Sequence, residues 1–120
     1  MGNQIFHSEL KILEILWSKG DMRAKDLAVE LEHSTKWHKA TTYTIIRTCM
    51  KKGLIERVGI DFICRPLISK EEAQKQEVDI LVEKMFNGSL DLLIALLLNH
   101  SKITPCQVDG LRELLQKSIY

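Results

Sequence analysis

The chain has 120 residues, 45% hydrophobic and 28% charged, with two prolines; this balance excludes a disordered chain and leaves room for one medium domain or two small ones sharing a core. Cys49, Cys64 and Cys106 are scattered and odd in number, which argues against a disulfide framework and for reduced thiols in a cytoplasm. The formal net charge of +1 conceals an asymmetry, since residues 1–67 carry eleven Lys/Arg and eight Asp/Glu while residues 68–120 carry six and eight, so the first part suits phosphate and the second does not.

Met1 to Phe6 contains no basic region followed by an apolar run, so a secretory signal is not expected. The longest apolar run, Leu92 to Leu98, is too short to span a bilayer. Ile5, Leu10, Leu13, Leu16 and Trp17, with Ile12 alongside, form a helical stripe that predicts a first helix over Ser8–Lys19, ended by Gly20-Asp21. Trp17 closes the stripe on its buried side and is expected to anchor the core. A second helix is expected over Ala24–Glu32, with Leu27, Ala28 and Leu31 inward, followed by a loop from His33 to Lys39.

The next segment carries the functional signal. Thr42, Ile45, Ile46 and Cys49 fall at i, i+3, i+4 and i+7, the inner stripe of a helix over about 40–52. Ala40, Tyr43, Thr44, Arg47 and Lys51 then point away from the core, with Thr41 and Thr48 flanking them. From Lys36 to Arg57 there are six cations and one acid, Glu56. A solvated basic face is the ordinary explanation of such a helix. Small hydroxyls, one phenol and cations without an acid also suit the major groove of DNA, where Thr can meet a thymine methyl and Arg can bond a guanine edge twice.

Gly53 is placed to cap this helix. Leu54–Val58 and Phe62–Arg65 read as strands of a hairpin around Gly59-Ile60-Asp61. The order helix, helix, basic helix, hairpin is that of a winged helix, over residues 1–68. Thr41, Tyr43, Thr44 and Arg47 are the candidates for base edges, and Lys39, Lys51, Arg57 and Arg65 for phosphate.

Charge sign and element type change near Ile68, and residues 69–120 are expected to form a separate helical region. Ser69 and Glu72 have capping-box spacing at the start of a helix reaching about Phe86, with Val78, Leu81, Val82 and Met85 as its stripe. Asn87-Gly88 breaks it. The following helix, Ser89–Asn99, is apolar on every side and demands cover all round. Thr104-Pro105-Cys106-Gln107 opens a final helix that presents Val108, Leu111, Leu114 and Leu115. Leu81, Met85, Leu93, Leu96, Leu97, Leu111 and Leu115 are therefore expected at a two-fold interface with a second copy, the alternative being packing of the leucine-rich helix on its own chain.

No nucleophile, base and metal-ligand set converges in the sequence. The four histidines and three cysteines make no metal-binding spacing, and no glycine-rich phosphate loop is present, so neither an enzyme nor a cofactor site is expected. Cys106, in a helix first turn, is the one candidate for a redox switch.

The runs Glu9 to Trp17, Thr41 to Ile46 and Lys51-Lys52-Gly53-Leu54-Ile55 together resemble the penicillinase-repressor family of the BlaI/MecI type, over nearly the whole chain. The resemblance implies a homodimeric bacterial repressor whose winged helix binds a palindromic operator and whose C-terminal helices dimerise. Family members typically repress β-lactamase or related resistance genes, and a sensor protease relieves repression in that branch by cleavage after an Asn followed by Phe. The matching positions are Asn99 and His100, which keep the Asn and change its neighbour. Phe6 stands where a Ser or Thr cap is common, and Arg47 lies one place before the family's usual Arg. The cysteine cluster of the copper-responsive branch is missing. The competing expectation is a winged-helix module that binds protein and reads no bases; a ligand or redox sensor in the C-terminal core is a third.

Overall fold

A computed structural model describes residues 4–99 and 104–119, with side chains described as far as Leu114. The chain divides into two compact units, 1–78 and 79–120. The division falls within the helix that follows Ile68, because the first turns of that helix are bound to the preceding unit.

Helix α1 spans His7–Lys19. Phe6 is its N-cap, and the Glu9 carboxylate accepts the Phe6 N–H at 2.8 Å, so half of a capping box is made although Phe6 offers no hydroxyl. The inner stripe is Glu9, Ile12, Leu13 and Leu16. Leu10 and Trp17, expected on the buried stripe, are half-buried at its edges. Glu9 draws the stripe round, since its Oε1 finds partners inside, the Phe6 N–H and the Lys52 ammonium, while its Oε2 is buried without a hydrogen-bond partner among the described residues. Trp17 donates its indole N–H to the Ile68 carbonyl at 2.9 Å, tying the end of α1 to the chain after the hairpin.

Strand β1, Met22–Arg23, was not expected; two residues are too few to show an alternating pattern. Helix α2, Ala24–Thr35, buries Ala24, Leu27, Ala28 and Leu31 and runs beyond Glu32, so His33 to Thr35 belong to a helix and not to the loop. Its extra turn is held by Thr35, whose hydroxyl donates to the Leu31 carbonyl at 2.6 Å, and it ends where Lys36 turns left-handed at φ 65°. Helix α3 spans Lys39–Lys51 with Thr42, Ile46 and Cys49 buried. Its end is a full Schellman turn. The Gly53 N–H donates to Met50 O and the Leu54 N–H to Cys49 O, with Gly53 at φ 76°.

Strands β2, Ile55–Val58, and β3, Ile63–Pro66, form the hairpin, and β3 lies between β1 and β2 in an antiparallel sheet. Leu54 belongs to the Schellman turn and Phe62 to the hairpin tip at φ 52°, which moves both strand starts one residue from expectation. The core of this unit is Ile12, Leu13, Leu16, Leu27, Leu31, Ile46 and Ile55, all essentially inaccessible. Each such side chain contributes about 1.5–3 kcal/mol over its exposed state. Exposed ion pairs such as Lys19–Glu30 contribute about 0–1 kcal/mol, so apolar burial decides the arrangement.

Helix α4, Lys70–Met85, starts with the expected capping box: the Glu72 N–H donates to Ser69 Oγ at 3.0 Å and the Ser69 N–H to Glu72 Oε1 at 2.9 Å. These bonds hold the Glu72 carboxyl below its ordinary pKa. Ala73 enters the core of the first unit. In the second unit, Asn87 and Gly88, both at positive φ, separate α4 from α5, Leu90–Asn99. Helix α6, Pro105–Ile119, has the expected Thr104/Gln107 box. None of the described residues of α5 is buried. Leu92, Leu96, Leu97 and Leu98 are about half accessible, as are Leu81, Met85, Leu111 and Leu114 on α4 and α6, while Leu93 is half-buried.

Cys49 and Cys64 are fully buried and Cys106 is exposed. Burial pushes the Cys49 thiol up from 9.0 to about 12, helped by the charge of Glu9, and burial raises Cys64 to about 11. The folded state thus holds these protons more tightly than the unfolded chain. Their contribution to stability is complete below pH 9 and disappears as pH rises through the two folded values. A thiol reagent at neutral pH is expected to label Cys106 alone in the folded protein, and alkaline unfolding should soften in a Cys49→Ala variant; labelling of Cys49 or Cys64 as fast as Cys106 would contradict this arrangement.

Candidate nucleic-acid interface

The burial of Thr42, Ile46 and Cys49 leaves the opposite side of α3 to solvent. Ala40, Thr41, Thr44, Arg47 and Lys51 are exposed there, with Lys39 at the start of the helix. Among the described residues, Lys39, Arg47 and Lys51 have no ion-pair partner, and the first turn of α3 holds no acid and no side-chain cap bond. The first-turn amides therefore add a positive helix end to the cations on its outer face. An anion of fixed geometry, such as a backbone phosphate, complements this surface.

The threonines are more specific than their composition indicates. Thr44 Oγ1 donates to the Ala40 carbonyl at 2.9 Å and Thr48 Oγ1 to the Thr44 carbonyl at 3.1 Å. With the hydroxyl protons used inside the helix, what these residues offer outward is a methyl group and oxygen lone pairs. Such groups meet a thymine methyl or accept from a base amino group. Thr48 is half-buried and Thr41 and Thr44 are exposed.

Tyr43 is half-buried and meets the edge of Phe62, with ring centroids 6.2 Å apart and planes at 65°. The Arg57 guanidinium lies 4.4 Å from the centre of the same ring. Tyr43, Phe62 and Arg57 thus make a continuous row from α3 onto the hairpin. Phe62 was not among the expected site residues. The only sequence signal for it is an aromatic just after a turn, and its role depends on the left-handed backbone that aims the ring at Tyr43.

The two hairpin arginines do not act together. Arg57 is opposite Cys64 in the β2–β3 register and Arg65 opposite Glu56, so they lie on opposite faces of the sheet. Arg57 shares the face of the buried Cys64 and of the Tyr43–Phe62 row. Arg65 is turned the other way and paired with Asp21, Nε to Oδ2 at 2.9 Å. Ile60, at the tip, is 95% exposed and is followed by Asp61. No described group of three or more His, Cys, Asp or Glu is arranged to hold a metal ion.

The penicillinase repressor family model matches residues 5–117. The chain belongs to the penicillinase repressor family. It is 20% identical to the penicillinase repressor of Bacillus licheniformis over 116 residues, covering 95% of this chain and 91% of that protein. It is 22% identical to the methicillin resistance regulatory protein MecI of Mammaliicoccus sciuri over 116 residues, 95% of this chain and 94% of the other. Among solved structures it resembles monomeric BlaI of B. licheniformis, described in complex with the blaP half-operator, at a TM-score of 0.51 and 24% identity, over 57% of this chain and 87% of that one. That likeness shows the winged-helix fold in this penicillinase repressor family member, as expected from its element order.

Asn99 ends α5 and is exposed; His100, its partner in the expected cleavage pair, and the Leu115 side chain lie outside the described residues. On the inner side of α3, Thr42 is fully buried and its hydroxyl has no hydrogen-bond partner among the described residues. Replacing it with an apolar group of the same shape removes that unmet polar atom. Thr42→Val is expected to raise stability by about 1 kcal/mol, read as a higher denaturant midpoint at unchanged slope; a lower midpoint would mean that the hydroxyl is satisfied in solution.

Proposed function

We propose that this protein is a homodimeric, sequence-specific transcriptional repressor acting in the bacterial cytoplasm, with α3 in the major groove of a palindromic operator. The observation that carries this reading is the outer face of α3. It is acid-free, supplies unpaired cations and outward methyl groups, and is joined to Arg57 through two aromatic rings. The BlaI neighbour described with a half-operator and the relatives named as penicillinase repressor and MecI support the same reading. Thr41, Tyr43, Thr44 and Arg47 take the base edges. Lys39, Lys51 and Arg57 take phosphates, and Arg65 joins them only by leaving Asp21.

Residues 69–120 take the part of the dimerisation region. Leu81, Met85, Leu96, Leu97 and Leu111 are exposed in the single chain and Leu93 is half-buried; they supply an apolar surface of the kind that marks an interaction site, and Leu115 is assigned to the same interface from its sequence position alone. A second copy covers it with one patch used twice and brings two recognition helices to two half-sites. Repression is relieved by a signal-transducing partner such as a sensor protease, with the Asn99-His100 bond as the cleavage position; Asn99 is exposed. No described helix is long and apolar enough to cross a membrane.

Selection of bound sites from random duplex DNA is expected to enrich a palindrome. At that site Arg47→Ala should cost about 1–3 kcal/mol and relax one base position, whereas Lys51→Ala should weaken all sequences alike and lower the salt slope by about 1 per helix. Equal losses for both variants on selected and random DNA would overturn the division of roles, and no enriched motif would favour a protein-binding module. Replacement of both Leu96 and Leu97 by Glu is expected to give monomers in sedimentation and to abolish joint occupancy of the two half-sites; an unchanged dimer would place the interface elsewhere.

A further inference from the structure

Lys52 follows the last residue of α3 and belongs by sequence to the same basic cluster as Lys51, yet its ammonium is directed elsewhere. Its Nζ donates to Glu9 Oε1 at 2.8 Å and to the Gln4 carbonyl at 2.9 Å, and it lies 3.7 Å from the centre of the Phe6 ring. The Lys52 side chain is 17% exposed and that of Glu9 2%. The same Glu9 oxygen accepts the Phe6 N–H. A carboxylate so deeply placed is tolerable only with a cation beside it, and Lys52 is that cation.

The arm that Lys52 grips is held at a second point. The Ile5 N–H donates to Glu77 Oε1 at 3.0 Å, and Ile5 itself is buried in the core that Ala73 also enters. Residues 4–6 therefore connect the C-terminal end of α3 with the first turns of α4. Neither the roles assigned to α3 nor the stability of α1 alone accounts for a lysine bonded to a backbone carbonyl, a buried carboxylate and an aromatic face together.

We propose that Lys52 is a positioning residue that makes no phosphate contact: by closing on Glu9, Gln4 and Phe6 it locks the end of the recognition helix to the arm that bonds α4, and so fixes the angle at which α3 is presented. This rests on the repressor reading above. Losing a phosphate contact weakens selected and random DNA alike and lowers the salt slope. Losing a positioning contact has a different signature, because random DNA tolerates many poses of the helix and a cognate site does not.

The test compares wild type, Lys51→Ala, Lys52→Met and the double variant Glu9→Gln with Lys52→Met, on the selected site and on random duplex across a salt series. The double variant leaves no isolated buried carboxylate and keeps the measurement open if Lys52→Met alone unfolds. The expected result for the Lys52 variants is a specific-to-random affinity ratio lowered by about fivefold or more, with the random-DNA salt slope unchanged. An unchanged ratio with a slope lowered by about 1 per helix, as for Lys51→Ala, would overturn the proposal. A second readout needs no operator: nitrogen-15 spectra of the wild-type lysine ammonium groups should show Lys52 exchanging slowly with water and unmoved by added duplex. Rapid exchange like that of Lys51 would equally overturn it. If wild type enriches no site, the repressor reading fails, and slow exchange at Lys52 still supports the lock.

Discussion

Everything on the outer side of α3 depends on what its inner side buries. Thr42, Ile46 and Cys49 have no accessible surface, and a helix with three such residues on one stripe cannot rotate about its axis without exposing them. Apolar burial is undirected and grows with the area removed from water. On a rigid helix it becomes an orienting force, because the stripe and its opposite face are fixed to one another by 3.6-residue periodicity. The Schellman turn at Gly53 then reverses the chain directly into β2, and the hairpin is delivered beside the face that burial has left open.

The hairpin is held in that place by contacts of different kinds on its two faces. The Tyr43–Phe62–Arg57 row combines an edge-to-face aromatic pair with a cation over a ring, both short-range and sensitive to angle. Arg65–Asp21 on the other face is an ion pair between half-exposed groups, weakened by solvent and salt. The aromatic row is the firmer of the two, and it is the one that faces α3. Pairing of β3 with β1 adds a third anchor and gives the hairpin a neighbour on its inner edge.

Much of this was legible in the sequence because it is local. The stripe of α3, the glycine after it, and the Ser69/Glu72 and Thr104/Gln107 boxes are all encoded within one or two turns. The features that were not legible join distant residues. Glu9 and Lys52 are 43 positions apart and Asp21 and Arg65 are 44 apart, and no periodicity connects them. Without them, Lys52 counts simply as one of the six cations between Lys36 and Arg57, and Arg65 is grouped with Arg57. The inward turn of Glu9 had the same origin, since helical periodicity assigns a carboxylate to the solvent side unless a partner is known.

The inward hydrogen bonds of Thr44 and Thr48 bear on the thermodynamics of encounter. A β-branched side chain on a helix already has few rotamers, and a hydroxyl bonded to the carbonyl one turn back selects among them before any partner arrives. The entropy that flexible side chains lose when an interface forms has here been surrendered during folding. Recognition through such a surface is expected to draw on its long cations for adaptation and on its threonines for a fixed template, a separation of tasks written into two hydroxyl-to-carbonyl hydrogen bonds.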